Sequence, residues 1–366
     1  MSKGNIVLFE DDGEDRAKLI TLFKKELKGT VTRVEAFAPD TASDVKKSKK
    51  QADESFEPYE EKIKKYLIAK KVNDCGLFVT DRDLSKTEGF LGLSEAAISR
   101  VADDLAIPIC LYARGIKGND LSKINRWSDY KIVLNSADLE TIAHEGSAIY
   151  KGFTMIKKGF GKVDRKNIQS PAEILSIILK KPNLQNRLAL YSAGDTHMLS
   201  DILLHGDKAT KDIDKRIPRL LGYWLWDSIL RFPGIVVNEI AAASYLNINP
   251  NDFKREDIRK LFSNAIYKGP FAEIRPLWWR DDLDEILIKT KCIDGIEYVR
   301  KKGMKASECK CSVDEKKTAG YYCMLTREPV CEDHSRSNIS WFPAGADLAR
   351  IKNSEYKKHA PWIGLS

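Results

Sequence analysis

The sequence predicts an α/β protein: an N-terminal doubly wound parallel sheet of five strands, a mainly α-helical region after it, and a small cysteine-rich segment held by zinc at the C-terminal end. Three observations carry this. Short apolar, β-rich runs alternate with helix-like stretches over residues 1–160, the order that builds a parallel sheet with helices on both faces. Two of those runs, Asn5-Ile-Val-Leu-Phe9 and Gly76-Leu-Phe-Val-Thr80, are continuous rather than alternating, as in strands buried on both sides. From Ser170 the pattern turns helical, opening with Ser170-Pro-Ala-Glu173, a capping box with proline at the first helical position.

Taken in order, 5–9 is the first strand. Asp12 or Asp15 caps a helix whose apolar stripe is Ala17, Leu19, Ile20, Leu22, Phe23 and Leu27, and Gly29 ends it. A second strand covers 31–37. The stretch 39–71 is longer than one helix needs. It holds Lys46-Lys-Ser-Lys-Lys50, which reads as a solvated face or a dock for an anionic partner, and a helix over 59–71. Strand three is 76–80. Helices over 93–105 and 121–127, strands over 107–112 and 130–134, and a long helix over 138–158 complete the unit. A flavodoxin-like strand order, 2-1-3-4-5, sets strands one and three side by side.

That adjacency concentrates charge. The first strand runs into Glu10, Asp11 and Asp12, and the third into Asp81 and Asp83. Open α/β sheets do their chemistry outside the carboxyl ends of the strands. Clustered carboxylates repel unless a cation binds or some stay protonated, and an oxygen-rich, thiol-free set suits magnesium.

The residues Ile6-Val-Leu-Phe-Glu10-Asp11-Asp12-Gly-Glu-Asp-Arg16, Leu77-Phe-Val-Thr-Asp81-Arg-Asp-Leu with Gly89 beyond it, and Ile107-Pro-Ile-Cys-Leu-Tyr112 resemble a two-component response-regulator receiver domain over about residues 4–150. The resemblance implies that Glu10 and Asp11 hold magnesium, with Asp12 as neighbour, and that Asp81 takes a phosphoryl group. It implies a histidine kinase or other signalling protein as partner and a bacterial, cytoplasmic setting. The chain departs from the family where the phosphate is read: Ala113 stands in place of Thr or Ser, and Val133 is nearest the place of the family lysine, with Lys131 two residues early. The family pattern therefore allows an unusual phospho-receiver or a pseudo-receiver that keeps the fold for docking.

At 366 residues, 43% hydrophobic and 31% charged, the chain has material for two or three domains. They are placed at 1–160, 170–290 and 291–366. A net charge of +8 is mild for this length. It permits nucleic-acid contact without arguing for it. The longest apolar runs carry charges and stop at Pro233 and Gly234, so no membrane span is expected, and the N-terminus enters a strand at once, which argues against a signal peptide. A homodimer is compatible with the sequence.

In 170–290, helices are expected over 186–190, 197–205 and 216–230. Two more, 236–246 and 255–262, are joined by Asn247-Ile-Asn-Pro-Asn-Asp252. This corner resembles a helix-turn-helix, with 267–279 as a wing. Lys254, Arg255, Arg259 and Lys260 are offered to DNA, but Glu256 and Asp257 sit among them, and Asp281, Asp282, Asp284 and Glu285 follow where a wing would want base. A DNA-binding regulator and a helical protein-interaction module are the alternatives. The scattered histidines include His197 near Asp195 and Asp201, where a helix cap explains Asp195 better than a catalytic Asp-His pair does. No phosphate-binding glycine loop or serine elbow is present.

Five of the seven cysteines lie after residue 290. Cys309-Lys-Cys311, Cys323 and Cys331-Glu-Asp-His334 fall in a polar, lysine-rich stretch with little apolar material, the kind of segment a metal staples. Thiolate and imidazole ligands in tetrahedral number suit zinc. Cys309, Cys311, Cys323 and Cys331 are the simplest set, with Cys292 or His334 as a replacement, and four soft ligands imply a structural site. Cys75 and Cys110 read as core residues.

Overall fold

The computed structural model describes residues 4–37, 57–72, 75–84, 93–112, 131–134, 138–164, 168, 170–191, 199 and 213–363. The lysine run at 46–50, Gly89, Ala113, the helix expected over 121–127, Asp195, His197 and Asp201 lie outside the described residues. The chain divides into two compact units. One comprises Met1–Lys117, Asp129–Lys158 and Lys208–Leu220; the other comprises Gly118–Ser128, Gly159–Asp207 and Leu221–Ser366.

In the first unit β1 (Gly4–Phe9), β2 (Val31–Ala36), β3 (Cys75–Asp81), β4 (Ile109–Tyr112) and β5 (Ile132–Leu134) form one all-parallel sheet in the order β2-β1-β3-β4-β5. The helices are α1 (Gly13–Glu26), α2 (Tyr59–Ala69), α3 (Glu95–Asp104) and α4 (Leu139–Phe160). Ile6, Val7, Leu8 and Phe9 of β1, and Leu77, Phe78 and Val79 of β3, are at most 1% exposed, which explains why neither strand alternates. On one face Val7, Phe9 and Phe78 pack with Ile63 and Leu67 of α2 and with Ile98 and Val101 of α3. On the other, α4 lies so close that a Cβ at Gly146 would sit 2.8 Å from the Phe23 ring of α1.

Caps set the helix starts. The Asp12 carboxylate accepts from the Glu14 and Asp15 amides at 3.0 and 3.1 Å, and Ser94 accepts from the Ala97 amide at 3.2 Å. Such caps are worth about 1 kcal/mol each. Asp12 is thus committed to α1. Gly29, at φ +83°, follows its end.

The second unit opens with α5 (Pro171–Ile178), where Ser170 Oγ accepts from the Glu173 amide at 3.2 Å, as the capping box requires. Next comes α6 (Gln185–Ala189); α7 (Ile213–Trp224) starts in the last segment of the first unit, which ends at Leu220, and its chain runs on in the second unit into a π-helical turn at Leu225–Ile229. The helix expected from residue 236 starts later. Val236–Asn238 is a strand, β6, pairing antiparallel with β7 (Leu277–Trp279), and α8 (Glu239–Tyr245) begins only after it. The reason is local: Asn238 is an N-cap whose side chain accepts from the Ala241 amide at 3.0 Å, and β-branched Val236 and Val237 precede it. After α8 come α9 (Pro250–Phe253), α10 (Glu256–Leu261), α11 (Arg280–Thr290) and α12 (Gly295–Lys301). A four-stranded sheet follows, built from β8 (Tyr321–Cys323), β9 (Pro329–Val330), β10 (Ser335–Arg336) and β11 (Ala349–Lys352) in the order β10-β11-β8-β9, and α13 (Asn353–Ile363) closes the chain.

One apolar core joins Val237, Leu246, Phe253, Phe262, Trp278, Leu283, Cys292, Val299, Tyr322 and Leu348, so burial is continuous across residue 290. The charges near the helical corner are matched. Arg255 bonds Asp257 at 2.6 Å and Lys260 bonds Glu256 at 2.9 Å. At the start of α11, Asp281 pairs with Arg187, and Asp282 pairs with Lys181 at 2.6 Å. Among the described residues no helix is long and apolar enough to cross a membrane.

Candidate functional site

The parallel register makes the first site. Phe9 in β1 stands opposite Thr80 in β3, so the next residues, Glu10 and Asp81, meet at the carboxyl edge of the sheet. Asp81 is in turn opposite Tyr112 in β4. Glu10 is 0%, Asp11 2% and Asp81 4% exposed, and each offers one carboxylate oxygen within 4.8 Å of the other two. Of the five acids at the strand tips, Glu10, Asp11 and Asp81 form this group, while Asp12 caps α1.

Backbone and tyrosine donors hold the acids in place. The Asp12 amide donates to Glu10 Oε1 at 3.0 Å, Arg16 Nη1 donates to the Glu10 carbonyl at 3.3 Å, and the Asp83 amide donates to Asp81 Oδ1 at 3.2 Å. The buried Tyr112 hydroxyl donates to Glu10 Oε2. At an effective dielectric near 20, two full charges 4.8 Å apart repel by about 3.5 kcal/mol. Three such pairs cost roughly 10 kcal/mol, within the range of a whole domain's stability. A cation among them would relieve that repulsion. An all-oxygen donor set of this kind fits a hard divalent ion.

Tyr112 was not visible as a site residue in the sequence. Its signal is its place as the last residue of β4, level with Asp81. Tyr112→Phe is expected to destabilise the first unit in chelator by about 2 kcal/mol, because it removes a hydrogen bond to a buried charged group. Hydrogen exchange of β1 and β3 peptides checks this. Lys131 bonds Glu95, and Val133 is half-buried in β5.

A cavity of about 70 Å³ lies elsewhere, lined by Cys75 and Gly76 at the start of β3 and by Lys157, Lys215 and Arg219. Six residue steps along a strand separate it from Asp81, roughly 20 Å, so it plays no part in the acid site.

The second site is sulfur-based. Cys311, Cys331 and His334 come together, with all three ligand atoms within 4.8 Å of one another. His334 Nδ1 is 3.7 Å from Cys311 Sγ and 3.2 Å from Cys331 Sγ. Burial pushes the Cys311 thiol up, but the Val313, Asp314 and Cys331 amides and the His334 ring outweigh it and bring the thiol down to about 7. The other predicted ligands are not members of this trio. Cys309 Sγ faces Ser244 Oγ at 3.8 Å and burial pushes its thiol up to about 11. Cys323 Sγ accepts from the Lys352 amide at 3.4 Å. Cys292 belongs to the apolar core. Cys75 and Cys110 are core thiols, and burial raises both, Cys75 to about 12.

The fold and the acid site define a class: a parallel α/β sheet carrying a buried carboxylate cluster where its two central strands end. No protein-family model, no curated protein and no solved structure matches the chain.

Proposed function

We propose that the first unit is a receiver-type signalling domain in which Asp81 is the phospho-acceptor, and that it controls a second unit that binds a macromolecular partner. One observation supports this above the rest: Glu10, Asp11 and Asp81 converge, buried, from the ends of adjacent parallel strands. In this reading an Asp81 carboxylate oxygen attacks the phosphorus of a phosphohistidine donor. The P–N bond breaks, the imidazole leaves with the electron pair, and an aspartyl phosphate remains. Glu10, Asp11 and Asp81 would hold magnesium, which supplies positive charge against the phosphoryl oxygens. Tyr112 and the Asp12 amide fix Glu10, and the Asp83 amide fixes one Asp81 oxygen.

A second reading has its own support. Lys131 is engaged by Glu95 and Val133 offers no charge, so the usual reporters of a new phosphate are replaced. That favours weak or absent switching, or a pseudo-receiver acting as a scaffold for a protein partner. Mass spectrometry after treatment with a small acyl-phosphate donor and magnesium separates the two. A low-yield phosphoryl adduct that Asp81→Asn abolishes supports the phospho-acceptor; no adduct in the unsubstituted protein leaves the docking role alone.

A further inference from the structure

The thiol and imidazole groups of the second unit lie far in sequence from the acid site and carry a different chemistry. Cys311 follows the bridge between Lys310 and Thr318, Cys331 follows β9 directly, and His334 precedes β10. Two stretches twenty positions apart, at 311 and 331, thus deliver three ligand atoms to one point. A tetrahedral ion about 2.3 Å from sulfur and 2.0 Å from nitrogen sets sulfur and nitrogen roughly 3.5 Å apart. The two observed separations, 3.7 and 3.2 Å, bracket that value.

Backbone amides line both sulfurs. The Cys331 amide donates to Cys311 Sγ at 3.3 Å, with the Val313 and Asp314 amides also on that sulfur, and the Asp333 and His334 amides reach Cys331 Sγ. Each cysteine therefore receives amides from two and three positions further on, a turn that wraps the backbone round a sulfur anion. Two thiolates at 1% and 6% exposure would be costly alone. A divalent cation makes the centre neutral. A single thiolate–imidazolium nucleophile would use one sulfur and leave the second amide-lined turn without a purpose.

We propose that Cys311 Sγ, Cys331 Sγ and His334 Nδ1 bind one zinc-class divalent cation and leave its fourth tetrahedral position to an exchangeable, non-protein donor such as water or a small anion. Among the described residues no fourth Cys, His, Asp or Glu donor joins the group. Three protein ligands with an open position is the coordination number of zinc sites that bind and polarise water or a ligand, whereas closed structural sites use four. The site also ties the loop at 311 to the turn at 331–334 beside the small sheet.

The test uses the full chain. Elemental analysis of protein purified without chelator should find one zinc per chain. Cys331→Ser and His334→Gln should each weaken zinc binding by at least the roughly 100-fold that loss of a mere outer-shell partner can cost, while Cys309→Ser and Cys323→Ser keep the ion. Cobalt replacement in the unsubstituted protein should give a tetrahedral visible spectrum with a thiolate charge-transfer band, and azide should shift it. This last readout stands even if a variant fails to fold. Loss of zinc in Cys309→Ser or Cys323→Ser together with an azide-insensitive cobalt spectrum means a closed four-ligand site and overturns the proposal. So does a protein that takes up no metal, or one with a Cys311–Cys331 disulfide when isolated under reducing conditions.

Discussion

Trp278→Ala is expected to destabilise the second unit by about 3–5 kcal/mol, the usual cost of truncating a large buried aromatic. Trp278 is fully buried, its ring lies 5.1 Å from Phe253, and the Arg259 guanidinium sits 5.6 Å from its centroid. Phe253 packs in turn at a tilt against Phe262, and Phe262 edge-to-face against Tyr298. The cavity would open at the junction of β7, α9 and α10, where little can collapse into it. Trp278→Phe should cost far less. It keeps most of the ring and removes an indole N–H that is buried with no acceptor among the described residues, a group worth about 1–3 kcal/mol when unsatisfied. Urea denaturation followed by tryptophan fluorescence reads this, because every tryptophan among the described residues falls in the second unit. If residues 291–366 form a module independent of 170–290, Trp278→Ala should leave hydrogen exchange in β8 and β11 unchanged. The shared core predicts faster exchange in both.

Much of the first unit was legible because its signals are local. Continuous apolar runs ending on acids marked β1 and β3, and the caps at Asp12 and Ser170 were readable from residue type and spacing. Adjacency of β1 and β3 then followed from taking the flavodoxin-like strand order for that alternation, and the carboxylate cluster followed from adjacency. Tyr112 was not legible, because its bond to Glu10 spans 102 positions and depends on strand register that sequence does not print. The small sheet escaped for another reason: strands of two to four residues are too short to show a period of two. β6 was absorbed into a helix for the same cause, its three residues adjoining a true helical pattern. Among the cysteines, spacing identified the cluster but not its members. Cys309 and Cys311 are two residues apart, yet one sulfur faces Ser244 and the other His334. Choosing between them needed side-chain direction, and that is set by packing against α8.

Asp11→Asn is expected to stabilise the first unit by about 3 kcal/mol in chelator at neutral pH and to abolish the response to magnesium. The argument is electrostatic. With Glu10, Asp11 and Asp81 within 4.8 Å, neutralising Asp11 removes two of the three repulsive pairs, each about 3.5 kcal/mol at full ionisation. The amide and tyrosine donors on Glu10 and Asp81 already reduce that sum. In the unsubstituted protein magnesium should do the same work: at a concentration 100 times its dissociation constant it adds about 2.7 kcal/mol. Asp11→Asn should gain under about 0.5 kcal/mol from the same magnesium, since the ion loses a ligand and the site loses the charge that draws it. The measurement is hydrogen exchange of β1 and β3 peptides with magnesium or with chelator. A destabilised Asp11→Asn in chelator, together with an unsubstituted protein indifferent to magnesium, would mean that the three acids share protons instead of a cation. Asp81 would then have no metal to work beside, and docking would be the reading of the first unit that survives.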